Sequence, residues 1–274
     1  MINKLKGWIS LKKPKAEKIA LNFGLIKGHT DYTKFIILGR SRTGSNFLRG
    51  LINNNAQVIS VGEIFRNEDH IDWDSENFET NAAVLGMYQK DPVQFLNKYL
   101  FRKFPVDIKA VGFKLFYYHA QNPPFLDIWR HLVDDKEIHI LHIKRKNLLH
   151  THISRIRASQ NDSWVNTSGE KEQQTSVFVD PVICMKDFEQ TRNWEQDADQ
   201  KFQQHPKLEI YYEDLSNDYE SVLKSVQGFL SLSPFAAQPR TFKQSALTLA
   251  ESISNYENLK EFFKNSIYEK FFVE

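Results

Sequence analysis

The sequence predicts an α/β fold, with a P-loop-like central parallel sheet and helices on both faces, and three observations carry that prediction. Short apolar runs alternate with stretches of helical periodicity along the chain, the pattern of a parallel sheet covered on two sides. A turn bracketed by Gly39 and Gly44 stands between the first apolar run and the first helical stretch. The 274 residues are 41% hydrophobic and 26% charged, enough for one large domain with a sizeable core.

Taken in order, residues 1–30 read as a basic arm and residues 31–274 as the single domain. Strands are expected at 35–38, 58–61, 110–114, 138–143 and 208–212, each a short bounded apolar run. Helices are expected at 45–54, 93–104, 125–133, 148–159, 185–205, 219–230 and 258–263. Residues 161–174 are polar and turn-rich and read as a loop, while Pro234 and Pro239 mark a linker before the C-terminal tail. No internal repeat stands out.

The glycine-bracketed turn has a chemistry of its own. The first N–H groups of a helix lack intrahelical partners and point back at the turn before it, where a phosphate or sulfate is the natural ligand. The spacing of Gly39 and Gly44 matches the nucleotide P-loop, but Ser45 and Asn46 stand where the Lys-Ser/Thr pair would be. The cations lie inside the loop instead, at Arg40 and Arg42, and Ser41, Thr43, Ser45 and Asn46 supply hydroxyl and amide donors. Such a loop suits an anion held without magnesium. A second basic segment follows the strand expected at 138–143, namely Lys144-Arg145-Lys146, and a helix carrying Ser154 comes next. An Arg offers a planar fork of donors to a phosphate dianion, and a hydroxyl adds one more from the neighbouring helix.

The run from Gly39 to Leu48, Gly-Arg-Ser-Arg-Thr-Gly-Ser-Asn-Phe-Leu, resembles the 5′-phosphosulfate loop of sulfotransferases that use 3′-phosphoadenosine 5′-phosphosulfate (PAPS), with Arg42 at the cation position and Gly44 in the turn. In that family the 3′-phosphate is held by a strand-end Arg and a Ser about two turns into the next helix. Lys146 to Ser154 has the spacing of the cytosolic enzymes, and Arg145 to Ser154 the spacing, one longer, of the bacterial carbohydrate branch. Arg145 with Ser154 is the preferred pair, and Lys146 stays as a second cation. Tyr211-Tyr212-Glu213-Asp214-Leu215 resembles the Tyr-Glu-Asp-Leu element late in these domains, read as structural. The tail Ile253-Ser254-Asn255-Tyr256-Glu257-Asn258-Leu259 is similar to that of nodulation-factor-type enzymes. The resemblance runs from about Phe35 to the end, and its motifs are closest to the nodulation-factor and trehalose types.

What the resemblance implies is a sulfotransferase fold and a PAPS co-substrate, with a sulfuryl group passed in line to a hydroxyl of a carbohydrate or glycolipid and no metal involved. The acceptor hydroxyl needs a base. Glu63 leaves the C-terminal end of the second strand, where ligands sit in open α/β sheets, and a Glu in a comparable position is the base proposed for the trehalose type. His119 is the competing base, although it lies too far along to match the Lys-x-His strand end of the cytosolic enzymes. Lys114 matches that strand end better and is expected near the sulfuryl group.

Other classes fit less well. A P-loop kinase needs a Lys after Gly44 and magnesium ligands, and the sequence offers neither. A non-catalytic nucleotide- or sulfoglycan-binding protein of the same fold stays as an alternative, one that would tolerate loss of Glu63. A formal net charge of +2 with dispersed basic residues argues against nucleic acid. His139 and His142 fall on opposite faces of a strand, His150 and His152 diverge on a helix, and no metal-ligand spacing emerges. Cys184, the single cysteine, reads as a small buried hydrophobe, and a cytoplasmic location is expected. No apolar stretch approaches the roughly 20 residues that span a bilayer. The lysines of the N-terminal arm suit, at most, a peripheral contact with an acidic membrane surface.

Overall fold

A computed structural model describes residues 21, 23–161, 176–239 and 247–272. Its centre is a five-stranded parallel sheet, in the order β3-β5-β2-β6-β7. The strands are β2 (Thr33–Gly39), β3 (Val58–Val61), β5 (Ala110–Phe116), β6 (His139–Lys144) and β7 (Lys207–Tyr211). A separate antiparallel pair joins β1 (Gly28–His29), the last residues of the expected arm, to β4 (Phe104–Pro105).

The α/β class follows from the burial of β2 on both faces. Ile36 and Leu38 enter a core with Phe65, Tyr88, Phe95 and Phe125, while Phe35 and Ile37 enter a second core with Leu48, Leu51 and Val226. A strand covered on both sides must be apolar at every position, so its run of four hydrophobic residues was readable. Helix α1 (Ser45–Ile52) packs Leu48 and Leu51 on the second face, beside α8 (Tyr219–Phe229). Between β2 and β6 the connections part: β2 leads toward β3 on one side, and β6 toward β7 on the other. The crevice at such a switch point is where α/β sheets bind ligands.

Three expectations need correction, and one helix was not expected. The helix expected at 93–104 is a single turn, α3 (Pro92–Phe95), capped by Asp91, followed by a π-helical turn at Leu96–Leu100. Phe104 then pairs with His29 instead of extending a helix. The helix expected at 185–205 runs as α6 (Pro181–Lys201), because the Asp180 carboxylate accepts from the N–H groups of Val182 and Ile183 and Pro181 occupies the first turn. Tyr212 opens the short helix α7 (Tyr212–Asn217) and does not end the strand. Helix α2 (Ala82–Lys90), capped by Asn81, had no clear periodicity to announce it. Helix α4 (Leu126–Asp134) and the helix α5 (Leu148–Asn161) lie within a few residues of expectation. Of the loop expected at 161–174, all but Asn161 lies outside the described residues, as do residues 1–20 of the arm. Residues 232–239 form no regular element, and the tail carries α9 (Leu249–Ser252) and α10 (Tyr256–Phe262).

Candidate active site

The loop from β2 to α1 depends on both its glycines. A Cβ on Gly39 would lie 2.5 Å from the Ile143 carbonyl oxygen of the neighbouring strand. Gly44 has φ +85°, and a Cβ there would lie 2.4 Å from the ring of Tyr212. Thr43 closes the turn by donating its hydroxyl to the Arg40 carbonyl at 2.7 Å. Arg42 also sits in the left-handed region, at φ +68°, an uncommon place for a side chain this long. Ser45 is buried as the first residue of α1, whose first-turn N–H groups face the loop.

The two basic motifs, more than a hundred residues apart in sequence, meet at Arg42. Its Nε–H donates to the Ser154 hydroxyl at 2.8 Å, and an Arg145 guanidinium N–H donates to the Arg42 carbonyl at 3.2 Å. Arg145 lies over the Tyr212 ring at 4.5 Å, and burial pushes its pKa down. Its buried Nε–H makes no hydrogen bond, a Glu213 oxygen at 3.8 Å being too far for one. Lys146 turns away to the surface, where its ammonium meets Asp214 at 2.5 Å. The Glu213 carboxylate accepts from the N–H groups of Lys146 and Asn147, which fixes the entry to α5.

Arg40 takes a different course from the other loop donors. Its guanidinium is buried against α6, paired with Asp187, bonded to Thr191 and lying 5.1 Å from the centre of the Trp194 ring. Asp187 also holds His152 at 2.9 Å and Arg155, both on α5. Burial alone would raise the Asp187 pKa, but the His152 hydrogen bond and the charges of Arg155 and Arg40 outweigh it and lower it to about 2. This knot ties the loop between β2 and α1 to the helix that carries Ser154. Sequence reasoning missed Asp187, Thr191 and Arg155; the only local signal was the four-residue spacing that puts Asp187 and Thr191 on one helix face. Ser41 meets the hydroxyl of Tyr118.

On the other side of the loop, Glu63, Lys114, Asn46 and His119 form one cluster. Glu63 lies just past β3, where the Gly62 N–H donates to the Trp73 carbonyl and the Gly62 carbonyl accepts from Lys114 N–H. The buried Lys114 ammonium donates to Glu63 at 2.9 Å and also to the Asn46 side-chain oxygen. Burial lowers the Lys114 pKa although the Glu63 charge opposes it. The His119 Nε2 stands 3.7 Å from the second Glu63 oxygen, and Arg66 approaches that oxygen at 4.0 Å.

Among the described residues, one group has the makings of a metal site, His142 with Asp199 and Glu209. The Lys144 ammonium already bridges the two carboxylates at 2.7 and 2.8 Å, and Lys207 adds a contact to Asp199 at 2.6 Å. Tyr117 donates or accepts at the other ring nitrogen of His142, 2.7 Å away. A lysine thus takes the place of a cation, and the group pins α6 to the sheet. Cys184 is fully buried, and burial raises its thiol pKa well above the ordinary range.

No protein-family model matches the chain. Nodulation protein H of Rhizobium tropici is 25% identical over 247 residues, an alignment that covers 87% of this chain and 92% of that protein. The chain is thus similar to a nodulation protein along most of its length. A crystal structure of a sulfotransferase from Alicyclobacillus acidocaldarius superposes with a TM-score of 0.44 at 14% identity, over 87% of this chain and 94% of that one, a likeness too slight to carry an argument. Among the described residues no helix is long and apolar enough to cross a membrane.

Proposed function

We propose that the protein transfers the sulfuryl group of PAPS to a hydroxyl of a carbohydrate or glycolipid. The observation that supports this most is the meeting of both basic motifs at one residue: Arg42 binds Ser154 through its side chain and Arg145 through its carbonyl. A donor with a phosphate at each end of its ribose needs two anion sites a short distance apart, and the loop and the Arg145–Ser154 pair supply them. Arg42 and the first N–H groups of α1 take the 5′-phosphosulfate, and Arg145 with Ser154 takes the 3′-phosphate.

In the reaction, the acceptor oxygen forms a bond to sulfur while the bond from sulfur to the bridging oxygen breaks, and 3′-phosphoadenosine 5′-phosphate leaves. Charge grows on that bridging oxygen, where Arg42 and Lys114 stabilise it; such preorganised charges are often the largest catalytic contribution. The acceptor proton passes to Glu63. Lys114 reaches both Asn46 at the start of the donor helix and Glu63, so base and donor loop lie within the span of one side chain. The single cysteine fits a reducing cytoplasm, and the lysines of residues 1–30 suit peripheral contact with an anionic membrane; both belong to this proposal.

The test is transfer from PAPS to a panel of glycans, glycolipids and phenols, with Glu63→Gln alongside. Glutamine keeps the size and loses the proton acceptor. The expected outcome is transfer to a glycan or glycolipid, and in the variant unchanged nucleotide affinity with single-turnover transfer down roughly 10²–10⁴-fold, the scale of a lost general base. Transfer by Glu63→Gln at the wild-type rate would remove Glu63 from the reaction.

A further inference from the structure

We propose that His119 is a positioning residue which, as a neutral imidazole, orients the Glu63 carboxylate with its Nε2–H and does not itself take the acceptor's proton. The inference rests on the sulfotransferase reading of the site and adds the division of labour between its two candidate bases.

The hydrogen bonds around the ring decide the tautomer. The backbone N–H of Phe116 points at His119 Nδ1 at 3.3 Å, and an N–H can only donate, so Nδ1 is the acceptor. In a neutral imidazole the proton is then on Nε2, which faces Glu63 at 3.7 Å. Both nitrogens are committed, one to the backbone and one toward the carboxylate. No lone pair is left for an acceptor hydroxyl. The gap to Glu63 is longer than a hydrogen bond, as catalytic contacts often are before substrate closes them.

The ring is held firmly. The chain turns back at this point, with the His119 N–H on the Phe116 carbonyl and Trp129 Nε1 donating to the His119 carbonyl at 2.8 Å. Phe116 packs tilted against the ring and Tyr118 meets it edge-on, with centroids 5.0 and 5.1 Å away. The charged groups facing it are Glu63 and Arg66 after β3 and Lys114 on β5. Burial, reinforced by Arg66 and Lys114, outweighs Glu63 and brings the imidazole pKa to about 4, so the ring stays neutral above that pH.

Two measurements test this. Nitrogen-15 NMR of the histidine rings in the whole wild-type protein should show His119 as the Nε2–H tautomer, neutral at pH 6. This reading requires no transfer assay, so its failure is distinct from failure of the donor proposal. In transfer assays, His119→Gln, whose amide retains an N–H near the Nε2 position, should stay within about tenfold of wild-type kcat, while His119→Ala should fall about 10²-fold, the cost of a misplaced reacting group. The loss should fall on kcat, with KM and nucleotide affinity near wild type in both variants, because Glu63 and the anion-binding residues remain. An Nδ1–H tautomer, a ring that titrates near pH 6.5, or a fall in His119→Gln as deep as in His119→Ala would overturn the proposal.

Discussion

Arg42 is held in a backbone conformation that costs a long side chain about 1 kcal/mol or more, and such strain persists where surroundings over-determine it. Here the surroundings are Ser154, Arg145 and the flanking Gly44. Arg145 is the residue on which nucleotide affinity should turn, because its buried Nε–H lacks a hydrogen-bond partner within the protein. Arg145→Ala is expected to weaken binding of 3′-phosphoadenosine 5′-phosphate by about 1.5–3 kcal/mol, the range for a hydrogen bond to a charged group, measured by calorimetry. An unchanged dissociation constant would transfer the 3′-phosphate to another cation. At this scale the sequence pointed to residues that the fold brings into contact: Arg42 with Ser154, and Lys114 with Glu63. It could not show that Arg40 pairs with Asp187, because a contact across 147 positions leaves no local periodicity. The preference for Arg145 over Lys146 came from the resemblance and not from the residues themselves; it is the fold that turns Arg145 inward to the Arg42 carbonyl and Lys146 toward Asp214.

At the scale of elements, the Asp187 knot joins the loop between β2 and α1 to α5 and α6, and its charge should be measurable in stability. The carboxyl pKa falls from the ordinary 3.8 to about 2 in the folded chain, so its contribution is complete above pH 3.8 and is lost as the pH drops through 2. Asp187→Asn should cost about 2–3 kcal/mol in urea unfolding at pH 7, leaving Arg40 and Arg155 without their counter-charge. The gap between variant and wild type should narrow as pH falls from 4 toward 2; a gap independent of pH would mean the cost is not electrostatic. The strands were legible because parallel strands buried on both faces are uniformly apolar. Helix boundaries were harder. The start of α6 depends on a cap at Asp180, and the break after Phe95 on burial of both Leu96 and Leu100, which an apolar pattern reads equally well as a continuing helix.

Across the whole molecule, the sheet order places the loop after β2 and the basic turn after β6 on neighbouring strands, with β3 and its Glu63 farther along the same carboxyl edge. That arrangement brings two sequence motifs together at Arg42, which is what the proposed pair of anion sites requires. The most direct test compares 3′-phosphoadenosine 5′-phosphate with AMP by thermal unfolding in the absence of magnesium. The two differ by the 3′-phosphate alone, so the comparison isolates the Arg145–Ser154 site from the loop. A clear rise in melting temperature is expected with 3′-phosphoadenosine 5′-phosphate and a much smaller one with AMP at equal concentration; equal stabilisation by the two would contradict a separate 3′-phosphate site.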